Sequence, residues 1–116
     1  MSNIVELDGA GLRDLLETEN RSVLIDFWSP WCGPCRALRP HLDKLAGERA
    51  EGWRFVAVNT EEHEEVGPEF GVSSLPTLVV FRGGQELTRL FGGITLSAVV
   101  DALDEFGDGR HLKLEA

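Results

Sequence analysis

The feature that most constrains this chain is an apolar run, Val23-Leu24-Ile25-Asp26-Phe27-Trp28, which is interrupted by a single charged residue, Asp26. A strand with apolar side chains on both faces has to be covered on both faces, as a central strand of an α/β sheet is. The run is therefore predicted to form a central strand with helices packed on either side of it.

The rest of the chain alternates between strand-like and helix-like segments. Strands are predicted at Ile4–Leu7, Val23–Trp28, Trp53–Val58, Thr77–Phe81 and Glu86–Phe91, and helices after Asp8, from Pro34 to about Arg49, over Glu64–Phe70 and after Thr95. Two glycines between the last two strands, at positions 83 and 84, are typical of a hairpin turn. The order βαβαβαββα predicts an α/β fold with a mixed central sheet and helices on both faces.

Length and charge limit the possible functions. A chain of 116 residues can bury a core without help from disulfides or metal. Its 20 acidic and 11 basic residues give a net charge of -9, which disfavours binding to nucleic acid and to membrane surfaces. The segment Met1–Glu6 has neither a basic region nor an apolar core, so no targeting segment is expected and the predicted location is cytoplasmic.

The chain has two cysteines, Cys32 and Cys35, which are three residues apart. A disulfide that closes so short a loop removes little entropy from the unfolded chain, so a purely structural bridge is disfavoured. Such a pair is more often catalytic or metal-binding. A zinc site would need two more ligands from His41, His63 and His111, which lack the spacing of a ligand set. No metal is therefore expected.

The cysteines lie where the predicted central strand ends and a helix begins. Cys32, at the helix start, would face unpaired amides and the positive end of the dipole, which favour a thiolate and lower the pKa of Cys32. Cys32 is therefore predicted to be the nucleophile. Cys35, one turn further into the helix, is predicted to resolve the mixed disulfide. Between them, Gly33 permits close approach of another backbone and Pro34 suits a first helical turn.

Several motifs together resemble the thioredoxin family. They are Asp26-Phe27-Trp28, Trp31-Cys32-Gly33-Pro34-Cys35, Leu75-Pro76-Thr77 and the glycines Gly84 and Gly92, in the family's order and spacing. The resemblance covers Ile4 to Phe106. It implies a thioredoxin-fold domain over residues 1–106, followed by a tail over 107–116 that lacks a periodic pattern and is expected to be flexible.

The resemblance also implies a function. Members of the family are general cellular reductants that reduce protein disulfides and maintain redox homeostasis. The family implies no bound cofactor, only a redox-active disulfide that is reduced in trans by thioredoxin reductase, an NADPH-dependent flavin enzyme. The expected partners are this reductase and oxidised substrate proteins, with the chain acting as a monomer. A disulfide isomerase and a non-catalytic binding or subunit module are the alternatives.

Asp26 is the third candidate catalytic residue. An ionised carboxylate within an apolar strand is costly, so burial should raise the pKa of Asp26 and allow it to accept the Cys35 proton. The matching aspartate of thioredoxins has this role. The alternative is a solvated position at a strand edge. Many thioredoxins place a lysine near this aspartate, where Ala57 stands here. The absence of that cation suggests an even higher pKa for Asp26 and a role as a neutral proton relay.

Residues around Cys32 are predicted to form an apolar docking surface for substrate. The predicted members are Trp31, Gly33, Pro34, Ser74, Leu75, Pro76, Phe91, Gly92 and Gly93. The family resemblance implies that Pro76 follows a cis peptide bond and packs beside the sulfurs. The backbone at Leu75 would then be free to pair with an extended substrate. A position in the core is the alternative for Phe91.

Two basic residues lie early in the helix that follows the cysteines. Arg36 and Arg39 could steer acidic partners or favour the thiolate. A solvated helix face is the preferred interpretation of both.

Overall fold

The computed structural model describes residues 2–107. They form five strands and four helices in the predicted order: β1 (Val5–Glu6), α1 (Gly9–Thr18), β2 (Ser22–Trp28), α2 (Gly33–Glu48), β3 (Trp53–Asn59), α3 (Val66–Glu69), β4 (Thr77–Arg82), β5 (Gln85–Phe91) and α4 (Leu96–Glu105). Helix α3 is shorter than the predicted Glu64–Phe70. Because Pro68 has no N–H to bond to the carbonyl of Glu64, the helix does not extend back to Glu64 and begins at Val66.

The sheet has the order β1-β3-β2-β4-β5. Strands β1, β3 and β2 are parallel, and β4 and β5 are antiparallel to their neighbours. Strand β2 therefore lies in the centre, which confirms the interpretation of its apolar run. Within it, Asp26 is paired with Ala57 of β3 on one side and with Leu78 of β4 on the other.

Helices cover both faces of the sheet, as predicted. On one face, Leu38 and Leu42 of α2 and Leu103 of α4 pack against alternate strand residues such as Leu24. On the other face, α1 and α3 pack against the intervening residues of β2, with Leu12 of α1 as a fully buried contact. Because successive side chains of a strand point to opposite faces, Asp26 shares the face of Leu24, under α2.

The connection between β2 and α2 positions the cysteines. Strand β2 ends at Trp28, and α2 starts at Gly33 with Cys32 as its N-cap. Helix α2 continues through Pro40 to Glu48. The turn over residues 29–32, which carries Cys32, therefore has a buried strand on one side and a sixteen-residue helix on the other, and both anchor it.

Helix α4 begins with a side-chain cap at Thr95, whose Oγ1 accepts a hydrogen bond of 3.1 Å from the Ala98 amide. We expect Thr95→Ala to lower the free energy of unfolding by about 1 kcal/mol, because this amide loses its partner. Urea denaturation followed by tryptophan fluorescence would measure the loss. Ser97→Ala, at an exposed position in the same turn, is the control and should change stability much less; equal losses would contradict the capping role.

The end of the described region is held in place by two contacts. Ser22 Oγ donates a hydrogen bond of 2.7 Å to the carbonyl of Phe106, and Arg82 donates one to the carbonyl of Gly107, which is buried. Of the predicted tail over 107–116, the remainder lies outside the described residues. Within residues 2–107, no helix is long and apolar enough to cross a membrane.

Candidate active site

Cys32 and Cys35 are joined by a disulfide, with their Cα atoms 5.2 Å apart. This separation lies within the range that a disulfide needs, because residues at i and i+3 meet on one face of a helical turn. The pair lies on the first turn of α2, directly after the central strand. Strand and helix therefore hold the two sulfurs where they can form a disulfide.

The two sulfurs have unequal surroundings. Cys35 is 3% exposed, whereas Cys32 is only partly buried. The Cys35 amide donates a hydrogen bond of 3.1 Å to the Cys32 Sγ atom, in the manner of a helix N-cap. A negative charge on Cys32 is favoured by this hydrogen bond and by the helix dipole. The geometry therefore supports attack by Cys32, while Cys35 is shielded from substrate.

Asp26 is 1% exposed and lies on the sheet face that α2 covers. The expectation of burial is confirmed, and the alternative of a solvated strand edge is wrong. Its Oδ1 atom has no hydrogen-bond partner among the described residues. Burial raises the pKa of Asp26 from 3.8 to about 6. The positive charge of Arg39 limits this rise, and the negative charge of Glu6 adds to it. A carboxyl group with such a pKa can exchange a proton near neutral pH.

The structure corrects two expectations about Arg39. Its Nε atom lies 3.2 Å from Asp26 Oδ2, so it does not lie on a solvated helix face, and Asp26 does not lack a nearby cation. The interpretation of Asp26 as a relay without a cation therefore fails. The missed signal is the spacing of Arg39 four residues after Cys35, which places both on one face of α2. Arg36 is exposed, as expected, and donates to the carbonyl of Pro30 at 2.9 Å.

A groove lies beside the cysteine turn, with a cavity of about 220 Å³. It is lined by Pro34, Leu38, Ser74, Leu75, Pro76, Gly92, Gly93 and Ile94. Six of these are predicted docking residues, whereas Leu38 and Ile94 were not among the predicted members. The Leu75–Pro76 bond is cis, as the family resemblance implied. Gly92 and Gly93 have φ angles of 65° and 64°, a backbone conformation that favours glycine and that turns the chain beside the groove.

The three remaining docking candidates do not line this groove. Trp31 is 80% exposed, and its Nε1 atom donates a hydrogen bond of 3.0 Å to Glu61. Phe91 is 61% exposed, so the alternative of a core position is wrong; it lines an adjoining cavity of about 260 Å³ together with Ser74. Gly33 faces open space. Large exposed apolar side chains at this end of the molecule suit contact with another chain.

Of the three histidines considered as zinc ligands, His41 and His63 lie within the described residues. His41 is exposed, and His63 is partly buried with its Nε2 atom 3.8 Å from Glu62. His111 lies outside the described residues. Over residues 2–107, there is no group of three or more His, Cys, Asp or Glu residues that could hold a metal ion.

Comparisons with known proteins agree with this geometry. The family model described as Thioredoxin matches residues 3–105. Thioredoxin M-type from the chloroplast of Chlamydomonas reinhardtii is 39% identical over 84 residues, which are 72% of this chain and 60% of the relative's length. Thioredoxin of Pyropia yezoensis is 31% identical over 104 residues, or 90% of this chain and 97% of the relative.

A solved structure shows the same fold. The oxidized form of mitochondrial thioredoxin 3 from Saccharomyces cerevisiae is 30% identical, with a TM-score of 0.80. The match covers 89% of this chain and 95% of the yeast chain.

Proposed function

The chain belongs to the thioredoxin family and is a thiol-disulfide oxidoreductase that reduces protein disulfides, and we propose that Cys32, Cys35 and Asp26 divide the reaction between them. The observation that carries this division is the asymmetry of the cysteine pair. Cys32 is accessible and its sulfur accepts the Cys35 amide hydrogen bond, whereas Cys35 is buried.

In the first step, the Cys32 thiolate attacks one sulfur of the substrate disulfide. The substrate S–S bond breaks, a mixed disulfide forms between Cys32 and the substrate, and the other substrate sulfur leaves as a thiolate that takes a proton from water. The hydrogen bond of 3.1 Å from the Cys35 amide stabilises the attacking thiolate before the bond forms.

In the second step, Cys35 becomes the nucleophile. Its thiol proton passes to the Asp26 carboxylate, and the Cys35 thiolate attacks the Cys32 sulfur. The mixed disulfide breaks, the second substrate sulfur leaves as a thiolate, and the Cys32–Cys35 disulfide forms. Two electrons thereby pass from the dithiol to the substrate.

Substrate docks in the groove beside the cysteines. Pro34, Leu75 and Pro76 line it, together with Gly92 and Gly93. An extended segment of substrate can pair with the backbone at Leu75, while Trp31 and Phe91 supply apolar contacts at the edge of the groove. Few charged groups lie in this surface, which suits a reductant that accepts many different proteins.

The proposed partners are an NADPH-dependent flavin reductase, thioredoxin reductase, and oxidised substrate proteins. In such a cycle the chain carries electrons from the reductase to the substrates and returns to the dithiol form. We place this cycle in the cytoplasm, a reducing compartment in which closely spaced cysteine pairs are typically catalytic.

Two measurements test the proposed function. We expect catalytic amounts of the protein to accelerate precipitation of the insulin B chain well above the rate with dithiothreitol alone. An unchanged rate would favour a binding module.

The second measurement is the redox potential. Equilibration with glutathione should give a potential near the value of about -270 mV typical of thioredoxins. A potential above about -200 mV would favour the isomerase alternative.

A further inference from the structure

Arg39 is held by contacts with three residues on two strands, Glu6 on β1 and Asp26 and Trp28 on β2. Its Nε atom is 3.2 Å from Asp26 Oδ2, and its Nη1 atom is 2.9 Å from Glu6 Oε2. Its guanidinium lies over the Trp28 ring, 5.1 Å from the centroid. The Trp28 indole in turn donates a hydrogen bond of 3.0 Å to Glu6 Oε1. The side chain of Arg39 is only 28% exposed, so its charge is fixed beside the buried carboxylate.

We propose that Arg39 is a positioning residue for the second step of the reaction, which it promotes by holding Asp26 ionised and oriented to receive the Cys35 proton. This inference rests on the proposed function of Asp26. It assigns to α2 the cation that the family resemblance places on the neighbouring strand, where this chain has Ala57.

The charges that face Asp26 come from two elements. Arg39 of α2 favours the ionised carboxyl group, and Glu6 of β1 disfavours it. The paired positions on β3 and β4 are Ala57 and Leu78, which carry no charge. Cys35, which supplies the proton, lies one turn before Arg39 on α2. Among the described residues, Arg39 is therefore the cation that offsets the cost of burying this charge.

The contact also leaves one oxygen of the carboxylate available. Arg39 is bonded to Oδ2, while Oδ1 is buried and has no hydrogen-bond partner among the described residues. A carboxylate oxygen that accepts no hydrogen bond can accept a proton without first breaking a contact. Arg39 thus selects Oδ1 as the oxygen that receives the proton.

The test compares Arg39→Ala and Arg39→Lys with Lys44→Ala. Lys44 is exposed on the same helix and pairs with Glu48, so its removal changes the net charge equally but leaves the active site alone. In Arg39→Ala, the pKa of Asp26 measured by carbon NMR should rise by about one unit, as expected when a close opposite charge is lost. Lys44→Ala should leave it unchanged, and Arg39→Lys should recover part of the shift.

Kinetics separate this role from a merely structural one. Single-turnover reduction of a peptide disulfide, quenched by alkylation, measures formation and decay of the mixed disulfide. In Arg39→Ala the formation rate should be unchanged. Decay of the mixed disulfide should be about fivefold slower at pH 6, because a one-unit rise of the pKa from about 6 lowers the ionised fraction of Asp26 about fivefold there. The decay rate should match wild type above about pH 8, where the carboxyl group is ionised in both proteins.

Two outcomes would overturn the inference. One is a pKa of Asp26 in Arg39→Ala equal to that in Lys44→Ala. The other is a decay rate slowed by the same factor at every pH, which indicates a disturbed helix. Both can occur while wild type reduces insulin normally. Failure of the proposed function itself would instead appear as loss of insulin reduction by wild type.

Discussion

Cys32→Ser should reduce insulin no faster than dithiothreitol alone. A serine hydroxyl is not ionised at neutral pH, so the helix start and the Cys35 amide have no thiolate to stabilise and the first step does not occur. The buried Cys35 cannot replace Cys32, because a folded substrate cannot reach it. The measurement is the rate of insulin turbidity for wild type and variant at equal concentration.

Cys35→Ser is the matched control, because it removes the other sulfur of the same pair. It should also lose turnover, but it should retain the first step and accumulate a mixed disulfide on Cys32 that mass spectrometry detects. Substrates trapped in this way would identify the proteins on which the chain acts. Equal trapping by the two single variants would contradict the assignment of Cys32 as the nucleophile.

Asp26→Asn should gain stability over wild type, by about 3 kcal/mol, as the pH rises from about 3 to about 8. The folded-state pKa of Asp26 is about 6, against an ordinary value of 3.8, and each unit is worth about 1.4 kcal/mol. Because the folded pKa is raised, the stability that Asp26 contributes is fully present below pH 3.8 and is lost as the pH rises through about 6. Asparagine does not titrate, so the variant escapes this loss.

Urea denaturation of the oxidised protein over this pH range would measure the gain. Other carboxylates titrate too, such as Glu19, whose pKa is lowered to about 2, chiefly by its hydrogen bond with Arg21. Their effects cancel in the difference between variant and wild type. A constant cost of the buried amide shifts that difference equally at every pH and so does not alter its change with pH. Asp101→Asn, at an exposed position on α4, controls for the lost charge. A difference that is the same at every pH would show that Asp26 is not destabilised by burial.

Much of the fold was predictable, because its main signals are local in sequence. The apolar run of β2 indicated a strand covered on both faces, and β2 does lie in the centre of the sheet. The position of Cys32 and Cys35 at a strand-to-helix junction followed from the same patterns. The burial of Asp26 followed from its apolar neighbours.

The parts that were missed depend on contacts between distant segments. Arg39 meets Asp26 across 13 positions and Glu6 across 33. The spacing of Arg39 from Cys35 places it on the active-site face of α2, but it does not identify the distant carboxylates that Arg39 contacts. Leu38 packs in the core and also lines the groove. Ile94 reaches the groove because the two glycines before it turn the chain back toward Pro34. Periodicity indicates which face of an element is buried, but it does not indicate that a side chain also lines a groove or contacts a distant segment of the chain.

The hydrogen bond from the Cys35 amide to Cys32 Sγ has an evolutionary consequence, because its donor belongs to the backbone. Substitutions at position 35 other than proline keep that amide, so drift in the surrounding sequence leaves the activation of Cys32 intact. In the proposed mechanism, the second step depends instead on the side chains of Asp26 and Arg39, which single mutations can exchange. Selection can therefore adjust how long a substrate stays attached without altering how the protein captures it.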